Sequence, residues 1–448
     1  MSTSNRIGNW LRNSISLRML VVGFILLVLL IPLAFVKDLI KERGQRQQEV
    51  IDEINGKWGK SVTLYGPIIK IPYRTFEQEK VLNPDTKAYI TTEKEVFHTA
   101  YFLPENLDIQ SKIDTEVLNY GIYESVVYST QLRLSGNFEG FEFSAIEVPD
   151  KDILWSKATL LLRTSNLKGI RTEVEFALDS ARYNLKPKFN NQRISTLESG
   201  FIKSMTEFKD KNLSFEMQME MNGSESLRFV PIGKVTTTAM KSDWPSPSFS
   251  GEFLPEDDSK TIGPDGFKAQ WKILEINRQF GQSFFYNLPE LSEFAFGTDL
   301  IVPIDDYQKT ERSSKYGFMI IGLTLLVFLL IQLISKISIH PFQYLMIGLA
   351  LVMFYTLLIS ITEHQNFLRA YLISGLAVIG LITLYSASIL RSFKFSLLIF
   401  SSMTALYSFI FVIIQLENYA LLVGSVGLFV ILAIIMFATR RIDWEPQE

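Results

Sequence analysis

Few side chains in this sequence could act as a nucleophile, a general base or a soft metal ligand, because it contains three histidines and no cysteine. A Ser-His-Asp triad in the polar part of the chain would have to use His98, since His340 and His364 lie between apolar segments. The residues around His98 predict a strand, and no nucleophile-elbow, zinc-protease, phosphate-loop or dinucleotide-loop motif occurs. We therefore expect no catalytic residues, no cofactor and no metal site, with a hydrolase that uses His98 as an alternative.

A loop with two aromatic residues and two prolines, 242–251, is a candidate binding site. Pro245 and Pro247 stiffen the backbone, so the loop could present Trp244 and Phe249 to a peptide or lipid ligand. Equally, Trp244 could be packed into the domain core, because a large aromatic side chain buries about 150–250 Å². All four residues are therefore candidate binding residues, with core packing as the alternative.

Six apolar stretches indicate an integral membrane protein. A spanning helix needs about 20 mostly apolar residues, and the first such stretch, 19–36, is not followed by a small-x-small cleavage pattern. The other five are separated by breaks too short for anything but tight turns, and lie at 318–334, 342–361, 367–390, 395–416 and 419–438. We expect 19–36 to be an uncleaved anchor, transmembrane helix 1, and 318–438 to be a five-helix bundle.

The basic residues of the short loops predict the orientation in the membrane. If the N-terminus is cytoplasmic, the alternation of six spans places on the cytoplasmic side Arg6, Arg12, Arg18, Lys336, Arg391, Lys394, Arg440 and Arg441. Only Arg369 lies at the opposite ends of the short loops. Segments 1–18 and 439–448 are thus predicted to be cytoplasmic, and 37–315 to lie outside the cytoplasm.

Ionisable side chains at the centre of a bilayer are costly and usually functional, yet no Asp, Glu, Lys or Arg lies in the middle of a predicted span. Glu363, His364 and Arg369 lie at the outer helix ends, where we predict a polar cluster that gates the bundle or contacts the outer domain. Anchoring at the membrane surface is the alternative. A polar transport path would have to use glutamines near the helix ends, namely Gln332, Gln343 and Gln415.

The long polar segment predicts a separate domain made of short strands. Residues 37–60 continue the first span as a helical stalk, and 306–317 form a linker. Between them, in 61–305, apolar and polar residues alternate with the period of a half-buried strand, most clearly at Leu213, Phe215, Met217, Met219 and Met221. Turns rich in glycine, proline and asparagine favour an antiparallel, sandwich-like β-rich domain. Short helices are expected at 109–118, at 268–278 and in parts of 191–209.

Composition excludes several classes of partner and cross-link. A formal net charge of −3 supplies no basic field that would attract nucleic acid. Without cysteine there is no disulfide and no thiolate metal site, which suits an oxidising compartment.

An ordered set of short motifs runs over most of the chain. The motifs are Tyr65-Gly66-Pro67, Ile71-Pro72-Tyr73, Pro231-Ile232-Gly233, Ser242 to Phe249 with Gly251, Tyr307-Gln308, Glu311-Arg312-Ser313, Lys315-Tyr316, Ile339 to Tyr344, Gly348-Leu349-Ala350, Phe354-Tyr355, Glu363-His364 and Thr439 to Trp444. As an ordered set they resemble the CreD family of bacterial inner-membrane proteins. Ser246 stands where the W-P-H-P form of the loop has a histidine, which argues against metal or base chemistry there. The resemblance implies a protein of the inner membrane linked to cell envelope integrity and envelope stress, and it implies no reaction.

These observations predict an α-helical membrane protein with six transmembrane helices and a β-rich periplasmic domain. Its expected function is non-enzymatic: contributing to envelope integrity or the envelope stress response through that domain. The alternatives are a transporter or flippase for an envelope lipid or small molecule, and an envelope hydrolase that uses His98. Expected partners are the lipid bilayer and periplasmic or outer-envelope components, and the oligomeric state stays open.

Overall fold

The computed structural model describes residues 15–82, 89–188, 194–203, 205–208, 211–300, 306–335, 337–416 and 419–440. The predictions for Arg6, Arg12, Lys336, Arg441 and the tail beyond residue 440 lie outside these residues. The chain divides into two compact units. We call them the membrane unit, with described residues 15–49 and 306–440, and the β-domain, with described residues 50–300.

The first helix, α1 (Ile15–Trp58), joins the apolar anchor and the polar stalk in one uninterrupted element of 44 residues. Gly59 follows with a φ of +146°, a conformation that favours glycine, so the helix ends here. Asn55, in the last turn of the helix, is buried in the β-domain. Its amide donates to Glu225 Oε1 over 2.9 Å and accepts from the Ser125 hydroxyl over 2.7 Å.

Two sheets form the β-domain. The first contains β1 (Val62–Leu82), β2 (Tyr89–Phe102), β5 (Thr159–Thr164), β8 (Lys186–Lys188), β9 (Ser195–Glu198), β11 (Ser226–Phe229), β13 (Pro247–Gly251), β16 (Ser283–Phe285) and β17 (Phe296–Leu300). The second contains β3 (Asn106–Tyr120), β4 (Tyr123–Phe138), β6 (Glu175–Leu178), β7 (Ala181–Asn184), β10 (Leu213–Ser224), β12 (Val235–Ser242), β14 (Lys260–Gly263) and β15 (Gly266–Leu274). A short helix, α2 (Met205–Phe208), precedes β10.

Pairing within the sheets is mostly antiparallel. The first sheet runs β13-β17-β11-β1-β5-β9-β8, with β2 on β1 and β16 on β2, and the second runs β14-β15-β12-β3-β4-β10-β6-β7. Two neighbouring pairs are parallel, β1 with β11 and β3 with β12, so both sheets are mixed. The predicted alternation in β10 is confirmed, because Leu213, Phe215, Met217, Met219 and Met221 are all buried in the core.

Two of the short helices predicted inside this domain are wrong, since 109–118 belongs to β3 and most of 268–278 to β15, whereas α2 lies within 191–209, where the third was predicted. In β3 the polar residue Ser111 faces inward and hydrogen-bonds Thr130 over 3.2 Å. The apolar residues to either side, Ile109 and Ile113, therefore show a helix-like spacing of four. The alternation of β15 ends at Leu274, and the exposed apolar residue Ile276 follows it. Taken together with the strand, this residue gives the sequence an apparent helical period.

The membrane unit adds six helices to the N-terminal part of α1: α3 (Asp306–Lys315), α4 (Gly317–Ser335), α5 (Pro341–Thr362), α6 (Phe367–Leu390), α7 (Phe393–Gln415) and α8 (Ala420–Thr439). Within the described residues, 6 helices are long and apolar enough to cross a membrane, α1 and α4 to α8. The fold class is thereby confirmed: one N-terminal and five C-terminal spans enclose a large β-rich domain in the sequence.

The predicted linker contains α3, a polar helix that packs against α5, α6 and α7. Its buried face consists of Tyr307, Thr310, Ser313 and Ser314. Asp306, at the start of α3, accepts a hydrogen bond from the backbone N–H of Phe367 over 2.8 Å. Since the first N–H groups of a helix have no partner within it, this carboxylate satisfies one of those groups in α6.

Candidate functional site: an open groove on the second sheet

An open groove of ≈ 800 Å³ crosses the outward face of the second sheet. Strand alternation creates it, because apolar residues point into the core and polar residues line the groove. The outward-pointing residues along it are Gln110, Lys112, Gln131, Arg133, Thr172, Glu173, Glu175, Gln218, Glu220, Ala239, Lys241, Ser259, Lys268 and Gln270. The three large apolar residues that also border it are buried beneath it, namely Leu132, Met219 and Met240.

Strand register arranges these side chains in two rows across five strands. Residues directly opposite each other on neighbouring strands have Cβ atoms about 4.5–5.5 Å apart. The first row, in spatial order, is Gln270, Ala239, Gln110, Arg133 and Gln218. The second row is Lys268, Lys241, Lys112, Gln131 and Glu220. The small side chain of Ala239 lies between two glutamines in the first row.

Charge is distributed unevenly along the groove. One end carries Lys112, Lys241 and Lys268, and the other carries Glu173 and Glu220. Arg133, in the middle of the groove, is paired, with its Nε 3.0 Å from Glu216 Oε1, whereas Lys241 and Lys268 at one end are exposed. The groove thus offers amide, ammonium and carboxylate groups that can bond a polar ligand.

Sequence reasoning did not find this groove. The only signal was the placement of glutamine and lysine two residues apart, in Gln110-Ser111-Lys112 and again in Lys268-Ala269-Gln270. Only the pairing of β3 with β12 and of β12 with β15 brings these short segments side by side.

The predicted loop site is packed against its own domain. Trp244 is half-buried, and its indole N–H donates to the carbonyl of Ser246 over 3.1 Å. Phe249 makes edge-to-face contacts with Phe267 and Trp271, each with ring centroids 5.7 Å apart. Both candidate aromatic residues therefore contact the core cluster. Of the two prolines, Pro245 is exposed and Pro247 opens β13.

The surroundings of His98 differ from those of a catalytic base. Its Nε2 lies 2.9 Å from the hydroxyl oxygen of Thr75, and its ring contacts the rings of Tyr73 and Tyr286 with centroids 5.3 and 4.9 Å apart. Within the described part of the chain, no serine and no carboxylate is bonded to this imidazole. The nearby buried carboxylate of Asp152 instead accepts from Arg74 Nε over 2.9 Å. The residues of a Ser-His-Asp triad are not assembled here.

The polar residues predicted at the outer helix ends have different bonding partners. Glu363 Oε1 lies 3.6 Å from Arg43 Nε, so α1 and α5 are joined by an ion pair. Arg369 donates instead to the side-chain oxygen of Gln365 over 3.1 Å. His364 is exposed between them.

The three glutamines of the spans also have different contacts. Gln332 is buried and accepts from the Tyr344 hydroxyl over 2.6 Å. Gln343 accepts from the backbone N–H of His340 over 2.8 Å and thereby caps α5, while Gln415 is exposed. Each of the three therefore has a separate environment.

A different set of polar groups lies inside the membrane unit. The hydroxyls of Ser313, Tyr355, Ser374 and Tyr407 are buried and have no hydrogen-bond partner among the described residues. Tyr371 contributes a fifth hydroxyl, which donates to the carbonyl of Tyr407 over 2.8 Å. Sequence inspection for charged residues missed this set because every member is uncharged.

Comparison with known proteins gives one consistent result. The family model described as "Inner membrane protein CreD" matches residues 14–445 of this chain. A curated protein, the inner membrane protein CreD of Escherichia coli strain K12, is 29% identical to this chain over 434 residues. That match covers 93% of this chain and 91% of the relative.

Proposed function

Because this chain belongs to the CreD family of inner membrane proteins, we propose that it holds its β-domain in the periplasm. There, the groove on the second sheet binds material of the cell envelope, and this binding contributes to envelope integrity or to the envelope stress response. The observation that carries the proposal is the groove itself, a polar concave surface of ≈ 800 Å³ on the domain that lies between the first and second spans.

The placement of the β-domain outside the cytoplasm is supported by charge. Arg18 precedes the first apolar span, Arg391 lies between α6 and α7, Lys394 lies in the first turn of α7, and Arg440 follows α8. Positive residues in short loops favour the cytoplasmic side. A reporter enzyme that works only outside the cytoplasm should be active when fused after Arg312 and inactive when fused after Lys394. The reverse pattern would overturn the proposed orientation.

Binding without catalysis is supported by the chemistry of the groove and of His98. The groove residues offer hydrogen bonds and charges, and the imidazole of His98 contacts a threonine hydroxyl and two tyrosine rings. His98→Ala should therefore leave the envelope phenotype of a producing strain unchanged, provided the protein accumulates normally.

Site-specific photo-crosslinking in living cells tests whether the groove binds envelope material. A photoreactive amino acid replaces Gln131, which is exposed in the groove, or Lys157, which is exposed elsewhere on the β-domain. We expect a high-mass adduct from position 131 alone, and we expect glycan-degrading enzymes to shorten it. Equal adducts from both positions, or none from position 131, would contradict the proposal.

One observation favours transport or lipid flipping as a second function, namely the buried hydroxyls without partners in the membrane unit, which could bond a polar headgroup. A cysteine at Ser374 tests it, since the chain has no native cysteine. A water-filled path would allow a membrane-impermeant maleimide to label this position in intact cells. Protection of the cysteine would leave the bundle as an anchor.

A further inference from the structure

Three lysines form an uninterrupted row on adjacent strands of the second sheet. Lys268 on β15 is directly opposite Lys241 on β12, and Lys241 is directly opposite Lys112 on β3. All three side chains are exposed. Neighbouring strands are about 4.7–4.9 Å apart, so the backbone positions of the three lysines lie within a span of roughly 10 Å.

Like charges directly opposite each other destabilise a sheet, and little nearby offsets the repulsion in this row. Lys112 Nζ lies 3.2 Å from Asp114 Oδ2, but both side chains are more than half exposed. Lys241 and Lys268 have no carboxylate at ion-pair distance anywhere in the described chain.

Other cations of the same sheet do not lie opposite a like charge. Arg133 is paired with Glu216 at 3.0 Å, and Lys260 with Asp257 at 2.6 Å. Lys272 is opposite Thr237, whose hydroxyl bonds Asp108. The lysine row is thus a local exception, and it coincides with one end of the groove.

The surroundings of the row indicate what kind of anion fits it. Gln110, Gln131 and Gln270 border the lysines, and an amide both donates to and accepts from a sugar hydroxyl. The large apolar side chains beneath the groove are buried, so it presents no large apolar side chain to an acyl chain. Glu173 and Glu220 at the far end repel a long polyanion, which limits the anionic segment to the lysine end.

We propose that Lys112, Lys241 and Lys268 bind the carboxylate or phosphate groups of an acidic glycan, while the neighbouring glutamines bond its hydroxyls. This inference rests on the proposed function of the groove and adds the class of ligand. The lysine row is then retained against its mutual repulsion because the bound anion neutralises it.

The test uses the full-length protein in nanodiscs made of neutral lipid and two matched probes. One is a fluorescent oligogalacturonate, which carries one carboxylate on each sugar, and the other is its methyl ester, which has the same backbone without charge. The row variant is K112Q/K241Q/K268Q. The control variant, K151Q/K157Q/K203Q, removes the same charge from exposed lysines outside the groove.

We expect the row variant to bind oligogalacturonate at least about tenfold more weakly, because charge-assisted hydrogen bonds to the anion are lost. The affinity of the control variant for oligogalacturonate should stay within about twofold of the parent's, because its substitutions change only charges outside the groove. The methyl ester should bind the parent no better than it binds the row variant. Thermal stability of the row variant should be equal to or above that of the parent, since repulsion is relieved, whereas a structural role would lower it.

Several outcomes would overturn the inference. Equal weakening in both variants would show a general charge effect, and tighter binding of polyglutamate than of oligogalacturonate would show a peptide site. Binding to vesicles of anionic lipid in place of either glycan would show a lipid site. If crosslinking from Gln131 still captures glycan while the row variant binds normally, only the role of the lysines fails. If that crosslink is absent, the proposed function fails with it.

Discussion

Gly348 provides a sharp test of how the N-terminal helix is held in the membrane unit. An ideal Cβ at this position would lie 2.0 Å from Leu29 Cδ1 and 2.9 Å from Leu29 Cδ2. Leu29 has 0% exposure, so the glycine of α5 is what allows this leucine of α1 to approach. Small residues permit close helix packing in the same way elsewhere in membranes.

Gly348→Ala should destabilise the packing of α1 against the bundle by about 1–3 kcal/mol, the usual cost of overpacking a filled core. Gly380→Ala is the matched control, because a Cβ there meets nothing within 4 Å. Leu29→Ala should rescue the Gly348 variant in part, since it removes the methyl groups that the new Cβ would meet.

The assay measures how often the bundle opens. A single cysteine replaces Ser374, a position with 0% exposure in a chain that lacks native cysteine. Its maleimide labelling rate reports the open population, and 1–3 kcal/mol corresponds to labelling about 5 to 150 times faster. Equal rates for the two glycine variants, or a double variant that labels as fast as Gly348→Ala alone, would refute the packing argument.

Three further predictions concern the β-domain. Burial alone would raise the pKa of Glu198, but hydrogen bonds from Lys188, Lys70 and Thr159 outweigh it and hold the pKa below the ordinary 4.5. The stability that this carboxylate contributes is present above that value and is lost as the pH falls through the lowered pKa. In Glu198→Gln, the loss of stability in acid, measured by thermal unfolding, should therefore be smaller. Asn55→Ala leaves Glu225 and Ser125 without their shared partner and should lower the free energy of unfolding by about 1–3 kcal/mol, measured by denaturant titration. Trp244→Ala should lower the free energy of unfolding by less than the about 3–5 kcal/mol that is lost with a fully buried aromatic residue, because the indole is only half-buried. Unchanged stability with a lost envelope phenotype would make the loop a binding site.

Local patterns were enough to predict the spans and the presence of strands. A run of about 20 apolar residues has few structural alternatives, and the alternation in β10 is read directly from its residues. The prediction failed where one buried polar residue, Ser111, changed the apparent period of β3. Periodicity reports burial reliably only while buried positions are apolar.

The groove could not be predicted because it depends on register between distant segments. Lys112 and Lys241 become neighbours through a parallel pairing of strands that lie far apart in the sequence. A shift of one residue in that pairing would turn the lysines toward the core, so their alignment is information that only the assembled sheet contains. The partner of Glu363 could not be predicted for the same reason, because Arg43 lies on α1, far from it in the sequence.

Binding and transport make different demands on the membrane unit. A transporter must exchange two packings around a polar path, yet Leu29 is interlocked with Gly348, and Gln332, Gln343 and Gln415 have separate environments. A binding protein needs the bundle only to hold its β-domain at the membrane, for which one fixed packing suffices. If Gly348→Ala loosens the bundle but leaves the glycan crosslink from Gln131 intact, the two units act independently and the groove carries the function. If the crosslink is lost together with the packing, binding depends on the state of the membrane unit, and the protein relays information between the envelope and the membrane.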